Sequence, residues 1–226
     1  MSATAGGMRG GPRVALVAGA VGRFGEALLN RVLGSGDYRT VVALSQAPMA
    51  LGVRGLELAA LHELPALDDV FVALSEHHET GGRSFYGRDA PFVQVGASQL
   101  LAVARAGCDA GARRLVLIAP TPVWQQMGGL HAGLSGETEL ALAALPLASL
   151  TVLRPIAANA SRARGLVERV AAVYTSLQML AMPRSMEILP SEKLARCALL
   201  AMHQAVDGVR ILGADKIPAL LARDQA

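Results

Sequence analysis

Three glycines separated by two residues each, Gly19, Gly22 and Gly25, stand between an apolar run and an amphipathic segment in "RVALVAGAVGRFGEALLNRVL". Glycines at this spacing permit a tight turn, close approach of the backbone to a diphosphate, and close packing of a helix on a strand. A helix that begins at such a turn offers free N–H groups and a partial positive charge to the diphosphate. The string alone is weak evidence, but a preceding strand and a following helix are the context that a dinucleotide site requires. The alternative is a glycine-rich turn that binds nothing.

The residues after the second apolar run normally distinguish NAD from NADP, because an acid there binds the ribose hydroxyls and an arginine accommodates the 2′-phosphate. The sequence reads "ALSQAP" at this point and carries neither charge, while Asp37 precedes the run in a turn. The choice between NAD and NADP is therefore open. The predicted cofactor-binding residues lie in the glycine turn and at the ends of three further apolar strands: Gly19, Ala20, Gly22, Arg23, Phe24, Gly25, Ser45, Gln46, Ala73, Leu74, Ser75, Ala119 and Pro120.

A polar segment, "SEHHETGGRSFYGRDAP", follows the fourth apolar run and should lie over the carboxyl edge of the sheet, where ligands bind in such folds. Tyr86 and Arg88 could contact a substrate or a cofactor phosphate, and Tyr86 is a candidate catalytic residue. His77 and His78 are adjacent and have no third ligand at a recognisable spacing, so no metal site is predicted. The alternative is a solvated polar loop.

Apolar segments of strand length alternate with helical periodicity along most of the chain. Strands are predicted over 13–19, 40–45, 56–61, 69–75, 114–120, 149–155 and 209–213, and helices over 23–33, 91–110, 133–145, 162–182 and 191–205. Continuous apolar strands separated by helices are typical of a parallel sheet that is covered on both faces. The predicted fold class is therefore α/β, with a doubly wound, mostly parallel sheet.

The chain is predicted to form a single domain over 13–226, after a flexible tail over 1–12 that is small, polar and glycine-rich. Residues from about 156 to 226 are expected to form a small helix-rich lobe over the carboxyl end of the sheet, as a substrate-binding lid. Ser191, which follows Pro190, is the expected N-cap of a helix in this lobe.

Composition and charge exclude several classes of protein. The 226 residues are 52% apolar and 17% charged, so a sizeable core is expected. The formal net charge of +3 comes from 21 basic and 18 acidic residues, and the arginines are too scattered to indicate a nucleic-acid surface. Cys108 and Cys197 lack metal or redox spacing and are expected to be buried.

No membrane span is expected either, because the longest stretch without Asp, Glu, Lys or Arg, 115–136, is broken by prolines and glycines. The first residues lack the apolar core of a secretory signal, so a cytoplasmic protein is expected, as a monomer or a homodimer.

The chain resembles the atypical short-chain dehydrogenase/reductase family, in particular its Tat-interacting-protein-like and NAD(P)H-binding branch. The matching segments cover most of residues 13–213: "ALVAGAVGRFGEALLNRVL", "LDDVFVALS", "QVGASQLLAVARAGCDAGARRLVLIAP", "LTVLRP" and "LPSEKLARCALLAM". Among them, only the glycine motif is a specific signature, and the other segments match as general patterns. The resemblance implies a Rossmann fold with NADP or NAD in the groove and a small-molecule substrate handled by the C-terminal part.

Active members of this family carry Ser or Thr after the fifth strand and a Tyr-x-x-x-Lys pair on the next helix. In this sequence the first position falls on Pro120 or Thr121, and the four-residue spacing is met by His131 and Ser135. No Tyr-x-x-x-Lys occurs anywhere in the chain. Since a positioned acid or base contributes roughly 10²–10⁴-fold to a rate, its loss should cripple carbonyl reduction by the family route.

Three functions are compatible with this pattern. The first is a dinucleotide-binding protein that has lost the family's chemistry and serves as a regulatory or assembly component. The second is an NAD(P)-dependent oxidoreductase or isomerase with an unusual acid or base, for which His131, Thr121 and Tyr86 are the candidates. The third is an interaction protein with a Rossmann shape and no cofactor.

Overall fold

Seven parallel strands form the centre of the protein. The structure is a computed structural model, and it describes residues 13–46, 52–75, 92–121, 136–156 and 189–223. Within these ranges the strands are β1 (Arg13–Ala18), β2 (Tyr38–Leu44), β3 (Leu56–Ala59), β4 (Asp69–Ala73), β5 (Arg114–Ile118), β6 (Ser149–Arg154) and β7 (Gly208–Gly213). They form one sheet in the order β3-β2-β1-β4-β5-β6-β7, and each neighbouring pair is parallel. The predicted doubly wound parallel sheet is confirmed.

Helices cover both faces of this sheet: α1 (Gly22–Leu33), α2 (Ala97–Asp109), α3 (Glu137–Ala143), α4 (Ser191–His203) and α5 (Ile217–Arg223). Alternate residues of each strand point to opposite faces, so Val17 packs in the cluster under α1, α4 and α5, while Leu16 packs under α2 and α3. In α1 the buried residues Phe24, Leu28 and Val32 recur every four positions and form one apolar stripe.

The C-terminal segment contributes to this sheet and to one of its covering layers. Helix α4 packs against α1, α5 packs against α4, and β7 extends the sheet beside β6. The remainder of the predicted lobe, including the predicted helix over 162–182, lies outside the described residues.

Two helices begin later than the sequence predicted, and the predicted capping residue of a third differs. Helix α2 starts at Ala97 instead of 91, since residues 92–95 are extended. Helix α3 starts at Glu137 instead of 133, because Gly136 has a φ of 89°, which is not helical. The predicted N-cap at Ser191 is wrong: Pro190 is the capping residue, and Ser191 is the first residue of α4.

A buried ionic network joins the beginnings of four strands at the amino edge of the sheet. The Asp69 side chain is fully buried and accepts hydrogen bonds from Arg114 Nε to Oδ1 (2.7 Å) and from Arg114 Nη2 to Oδ2 (2.8 Å). Tyr38 Oη also donates to Oδ2 (2.8 Å), and Arg13 Nη1 lies 3.4 Å from the same oxygen. Burial, and then the Asp69 charge, raise the pKa of Tyr38, so this hydroxyl stays a donor.

Both cysteines are buried and free, as predicted. Burial raises the pKa of the Cys197 thiol to about 12 and also raises that of Cys108. Among the helices of the described ranges, none has the length and apolar character needed to cross a membrane.

Candidate functional site

The carboxyl edge of the sheet contains a switch in the direction of winding. From β1 the chain continues outward to β2 and β3, and it then returns to β4 on the other side of β1. Helix α1, which follows β1, and helix α2, which follows β4, pack on opposite faces of the sheet, an arrangement that in open α/β sheets leaves a crevice between the two strands. Ligands of open α/β sheets bind in such a crevice.

The glycine turn occupies the β1 side of the crevice. Gly19 has a φ of 79° and Gly22 a φ of 73°, backbone conformations that favour glycine. A Cβ on Gly19 would lie 2.0 Å from the carbonyl oxygen of Ala73, and a Cβ on Gly25 would lie 1.9 Å from the carbonyl oxygen of Gly19. Glycine at these two positions thus allows the turn to pack closely on β4 and α1 to pack closely on the end of β1.

Helix α1 begins at this turn with a positive N-terminus that no side chain caps. The N-cap residue is Val21, and the first turn contains no acidic residue. Arg23 is exposed in that turn, whereas Phe24 is buried in the core under the helix. The unpaired N–H groups and the helix dipole make this position suitable for an anion.

The end of β4 forms the other side of the crevice and holds an unpaired hydroxyl. The backbone N–H of Leu74 donates to Ile118 (2.9 Å), and that of Ser75 donates to Val95 (3.1 Å). The Ser75 Oγ is buried and has no hydrogen-bond partner in the described part of the chain. Since buried polar atoms are nearly always paired, this hydroxyl is available for a partner outside the described residues, such as a bound ligand.

The end of β2 carries no charge that could select the cofactor. Ser45 is buried, its N–H donates to Ala59 (2.9 Å), and Gln46 after it is exposed. Asp37 lies before β2, and its Oδ2 is 3.1 Å from Nε2 of His203, the last residue of α4. Asp37 is thus at the opposite edge of the sheet from the glycine turn.

Residues 92–95 cross the carboxyl edge between β2 and β4, a feature that sequence reasoning missed. Phe92 forms an antiparallel bridge with Ser45, and Val95 forms a parallel bridge with Leu74. Since β1 lies between β2 and β4, the segment passes over the point where β1 ends. At the glycine motif the chain leaves the sheet, so β1 ends early. The backbone groups of β2 and β4 that β1 no longer pairs with form hydrogen bonds to this segment instead.

The ends of β5 and β6 continue the edge beyond β4. The Ala119 N–H donates to Leu153 (2.9 Å), and Pro120 is partly buried. Thr121 is buried, and its Oγ1 donates to the carbonyl of Ala119 (3.1 Å). The structure therefore places Thr121 at the predicted edge with its hydroxyl already bonded to the backbone.

The other predicted catalytic residues, His131 and Tyr86, lie outside the described residues, as does Ser135. Tyr38 is at the amino edge in the Asp69 network, and Lys193 and Lys216 are exposed. Helix α3 begins at Glu137, after Gly136, whose φ of 89° is not helical.

A buried ion pair at the end of β6 is a second feature missed from the sequence. Arg154 Nη2 lies 2.6 Å from Glu139 Oε2, with 4% and 15% of the two side chains exposed. Glu139 is in the first turn of α3, where the helix dipole favours an acid. The pair fixes α3 to the carboxyl edge, and the only available signal was a charge at the end of the apolar run "LTVLR".

Within the described ranges no group of three or more His, Cys, Asp or Glu could hold a metal.

Solved structures with this fold include the Bordetella bronchiseptica enzyme WbmH in complex with NAD⁺. It is 13% identical, with a TM-score of 0.50, over 93% of this chain and 79% of that chain. A short-chain dehydrogenase from Streptomyces avermitilis is 16% identical over 95% of this chain and 92% of that chain, with a TM-score of 0.47. Helicobacter pylori ADP-L-glycero-D-manno-heptose-6-epimerase is 12% identical over 94% and 82%, with a TM-score of 0.47.

The likeness to WbmH establishes the fold alone, an α/β Rossmann sheet, which agrees with the strand order described above. No protein-family model and no curated protein matches the sequence.

Proposed function

We propose that this chain is a short-chain dehydrogenase/reductase-like protein that binds a nicotinamide dinucleotide and acts as a regulatory or assembly component. The observation that carries the proposal is the glycine turn, which opens the uncapped N-terminus of α1 onto the crevice between β1 and β4. Both the location and the conformation of this turn suit a diphosphate.

Two further features of the crevice fit the same ligand. The orphan Ser75 Oγ can donate to or accept from a ribose or a phosphate, and the first turn of α1 offers N–H groups next to Arg23. The glycine turn and the ends of β2, β4 and β5 would hold the dinucleotide. When bound, the nicotinamide supplies hydride transfer, and the protein supplies its position and surroundings.

A role without catalytic turnover is favoured because the sequence lacks the acid and base pair of the family. The sequence has no Tyr-x-x-x-Lys, and the Thr121 hydroxyl is bonded to the Ala119 carbonyl. The alternative is an oxidoreductase or isomerase that uses His131. Reductase turnover that disappears in His131→Ala while the dinucleotide still binds would establish that alternative in place of the regulatory role.

Calorimetric titration of the full chain with NADPH and with NADH tests the binding. We expect saturable binding of at least one of them, and a rise in Tm of roughly 5–10 °C at a ligand concentration of about 100 Kd. ADP-ribose serves as a control that retains the diphosphate but lacks the nicotinamide. If neither dinucleotide binds at millimolar concentration, the chain is a cofactor-free protein and the proposal is wrong.

The variant Ser75→Ala gives a second expected result at the same site. If the hydroxyl serves the ligand, its removal should weaken dinucleotide binding about tenfold, since a hydrogen bond is lost. The unliganded variant should unfold at the same or a slightly higher urea concentration, because a buried polar atom without a partner is removed. Loss of stability with unchanged binding would instead assign Ser75 a structural role.

A further inference from the structure

Residues 92–95, hereafter the strap, fill the gap in the sheet that opens where β1 ends. The Ser45 N–H donates to Ala59 on β3 (2.9 Å), so the preceding carbonyl, that of Leu44, points to the β1 side of β2. That carbonyl accepts a hydrogen bond from the Val93 N–H (3.0 Å). On β2, the strap is therefore bonded in the position that a longer β1 would occupy.

The strap is bonded in the same way to β4, the other neighbour of β1. The Leu74 N–H donates to Ile118 on β5 (2.9 Å), so the Ser75 N–H points to the β1 side, where it donates to the Val95 carbonyl (3.1 Å). The pairing of β1 itself ends at Ala18. The strap thus takes up backbone groups on both sides of the gap, at the edge of the sheet where ligands bind in this fold.

The side chains of the strap belong to the core on both faces of the sheet. Phe92 is 8% exposed and lies in the apolar cluster under α1, which also contains Ala20 of the glycine turn and Phe24 of α1. Val95 is fully buried in the cluster under α2. The strap therefore closes the gap as a packed part of the protein, next to the turn that suits a diphosphate.

One polar atom beside the strap is unsatisfied while the gap is closed. The Ser75 Oγ is buried and has no hydrogen-bond partner among the described residues, although the N–H of the same residue is bonded to the strap. A ligand cannot reach a buried hydroxyl unless its surroundings move. Since an unpaired buried polar atom disfavours the state that contains it, a ligand that pairs with Ser75 favours a state in which the gap is open.

We infer that the strap is autoinhibitory: it occupies part of the dinucleotide site in the unliganded protein, and a dinucleotide binds by displacing it. This inference rests on the proposed function and adds a regulation of the same site. The apparent affinity is then the intrinsic affinity multiplied by the fraction of molecules in the open state. Variants that weaken the strap should bind more tightly, and a covalent lock should prevent binding.

The double variant Ser45→Cys/Phe92→Cys supplies the lock. These two residues face each other in an antiparallel bridge, in which Cα atoms are about 4.5–5.5 Å apart, a separation that a disulfide spans. In calorimetric titrations of the full chain with NADPH and NADH, the oxidised double variant should bind at least tenfold more weakly than the reduced one. Thiol titration verifies the disulfide. Equal affinities of the two forms overturn the inference.

The wild-type chain under the same oxidant and reductant is the control for this comparison. Its two cysteines, Cys108 and Cys197, are buried and free, so its affinity should be the same under both conditions.

Phe92→Ala tests the opposite direction, because it removes packing that holds the strap in the gap. Leu220→Ala is the matched control, since Leu220 is buried in the same cluster but lies on α5. Both variants should lose stability through the cavity that they create. Phe92→Ala should lower the dinucleotide Kd about tenfold, whereas Leu220→Ala should change it less than about threefold. Unchanged or weaker binding by Phe92→Ala overturns the inference, because the ring then supports the site.

Hydrogen exchange of the wild-type chain distinguishes displacement of the strap from ordinary protection by a ligand. The Val93 N–H, which is bonded to Leu44 in the unliganded protein, should exchange faster when NADPH or NADH is bound at saturation. The N–H groups in the first turn of α1 should exchange more slowly. Slower exchange at both places would identify the strap as a fixed wall of the site and would refute autoinhibition.

Failure of this inference can be told apart from failure of the proposed function. If the wild-type chain, the reduced double variant and Phe92→Ala all fail to bind NADPH and NADH, the proposed function itself is wrong. If the wild-type chain binds, and neither the lock nor Phe92→Ala alters its affinity, dinucleotide binding stands and only the autoinhibition is wrong.

Discussion

Replacing Asp69 by asparagine is expected to destabilise the protein by about 3–5 kcal/mol, since removing one member of a buried ion pair leaves the other charge uncompensated. Asp69 is fully buried and accepts two hydrogen bonds from Arg114 and one from Tyr38. Asparagine keeps the volume but removes the charge, and its amide nitrogen cannot accept. Urea unfolding followed by circular dichroism measures the loss.

The exposed contact between His62 Nε2 and Glu63 Oε1 supplies the control. Its atoms are 3.5 Å apart, and 79% and 53% of the side chains are exposed, so Glu63→Gln should change stability by less than about 0.5 kcal/mol. A double-mutant cycle with Arg114→Met should show strong coupling to Asp69. Stability within about 1 kcal/mol of the wild-type value would show that the network contributes little.

The fold could be predicted because its signals are local. Each strand is a short apolar run and each helix has an apolar stripe, and alternation of the two leads to a parallel sheet. The glycine turn was visible for the same reason, since its three glycines lie within seven residues of sequence.

The features that were missed depend on pairing between distant segments. Phe92 bridges Ser45, and Asp69 binds Tyr38 and Arg114, across separations of about 30 to 50 residues, on which local periodicity carries no information. Asp69 and Arg154 also occupy the ends of apolar strands, where a charge normally indicates solvent. The burial of Asp69 and Arg154 can be recognised only once their charged partners in the folded structure are known.

The three glycines of the motif do not report on the ligand equally. Gly19 and Gly25 are required by contacts within the protein, because a side chain on either would collide with the backbone of β4 or of the turn itself. Gly22 has a positive φ of 73°, like Gly19, which favours glycine at that position. The packing of the protein itself thus accounts for much of the motif, and the Ser75 hydroxyl is the independent indication of a ligand.

Gly19→Ala is accordingly expected to reduce stability by about 2–5 kcal/mol, the sum of a left-handed backbone and an overpacked contact. The added Cβ would lie 2.0 Å from the Ala73 carbonyl oxygen, a backbone atom of β4 that cannot move without shifting the strand. The turn and β4 would have to separate, which opens the crevice between them. We expect dinucleotide binding to be lost together with the stability, as followed by urea unfolding and calorimetric titration.

Gly36→Ala isolates the backbone contribution to this effect. Gly36 has nearly the same φ, 76°, but no atom lies within 4 Å of its Cβ position. Its substitution should cost only about 1–2 kcal/mol and leave dinucleotide binding unchanged. The difference between the two variants measures the collision with β4. Equal losses in both would mean that the turn yields without cost, and that close packing of Gly19 on β4 does not hold the crevice in shape.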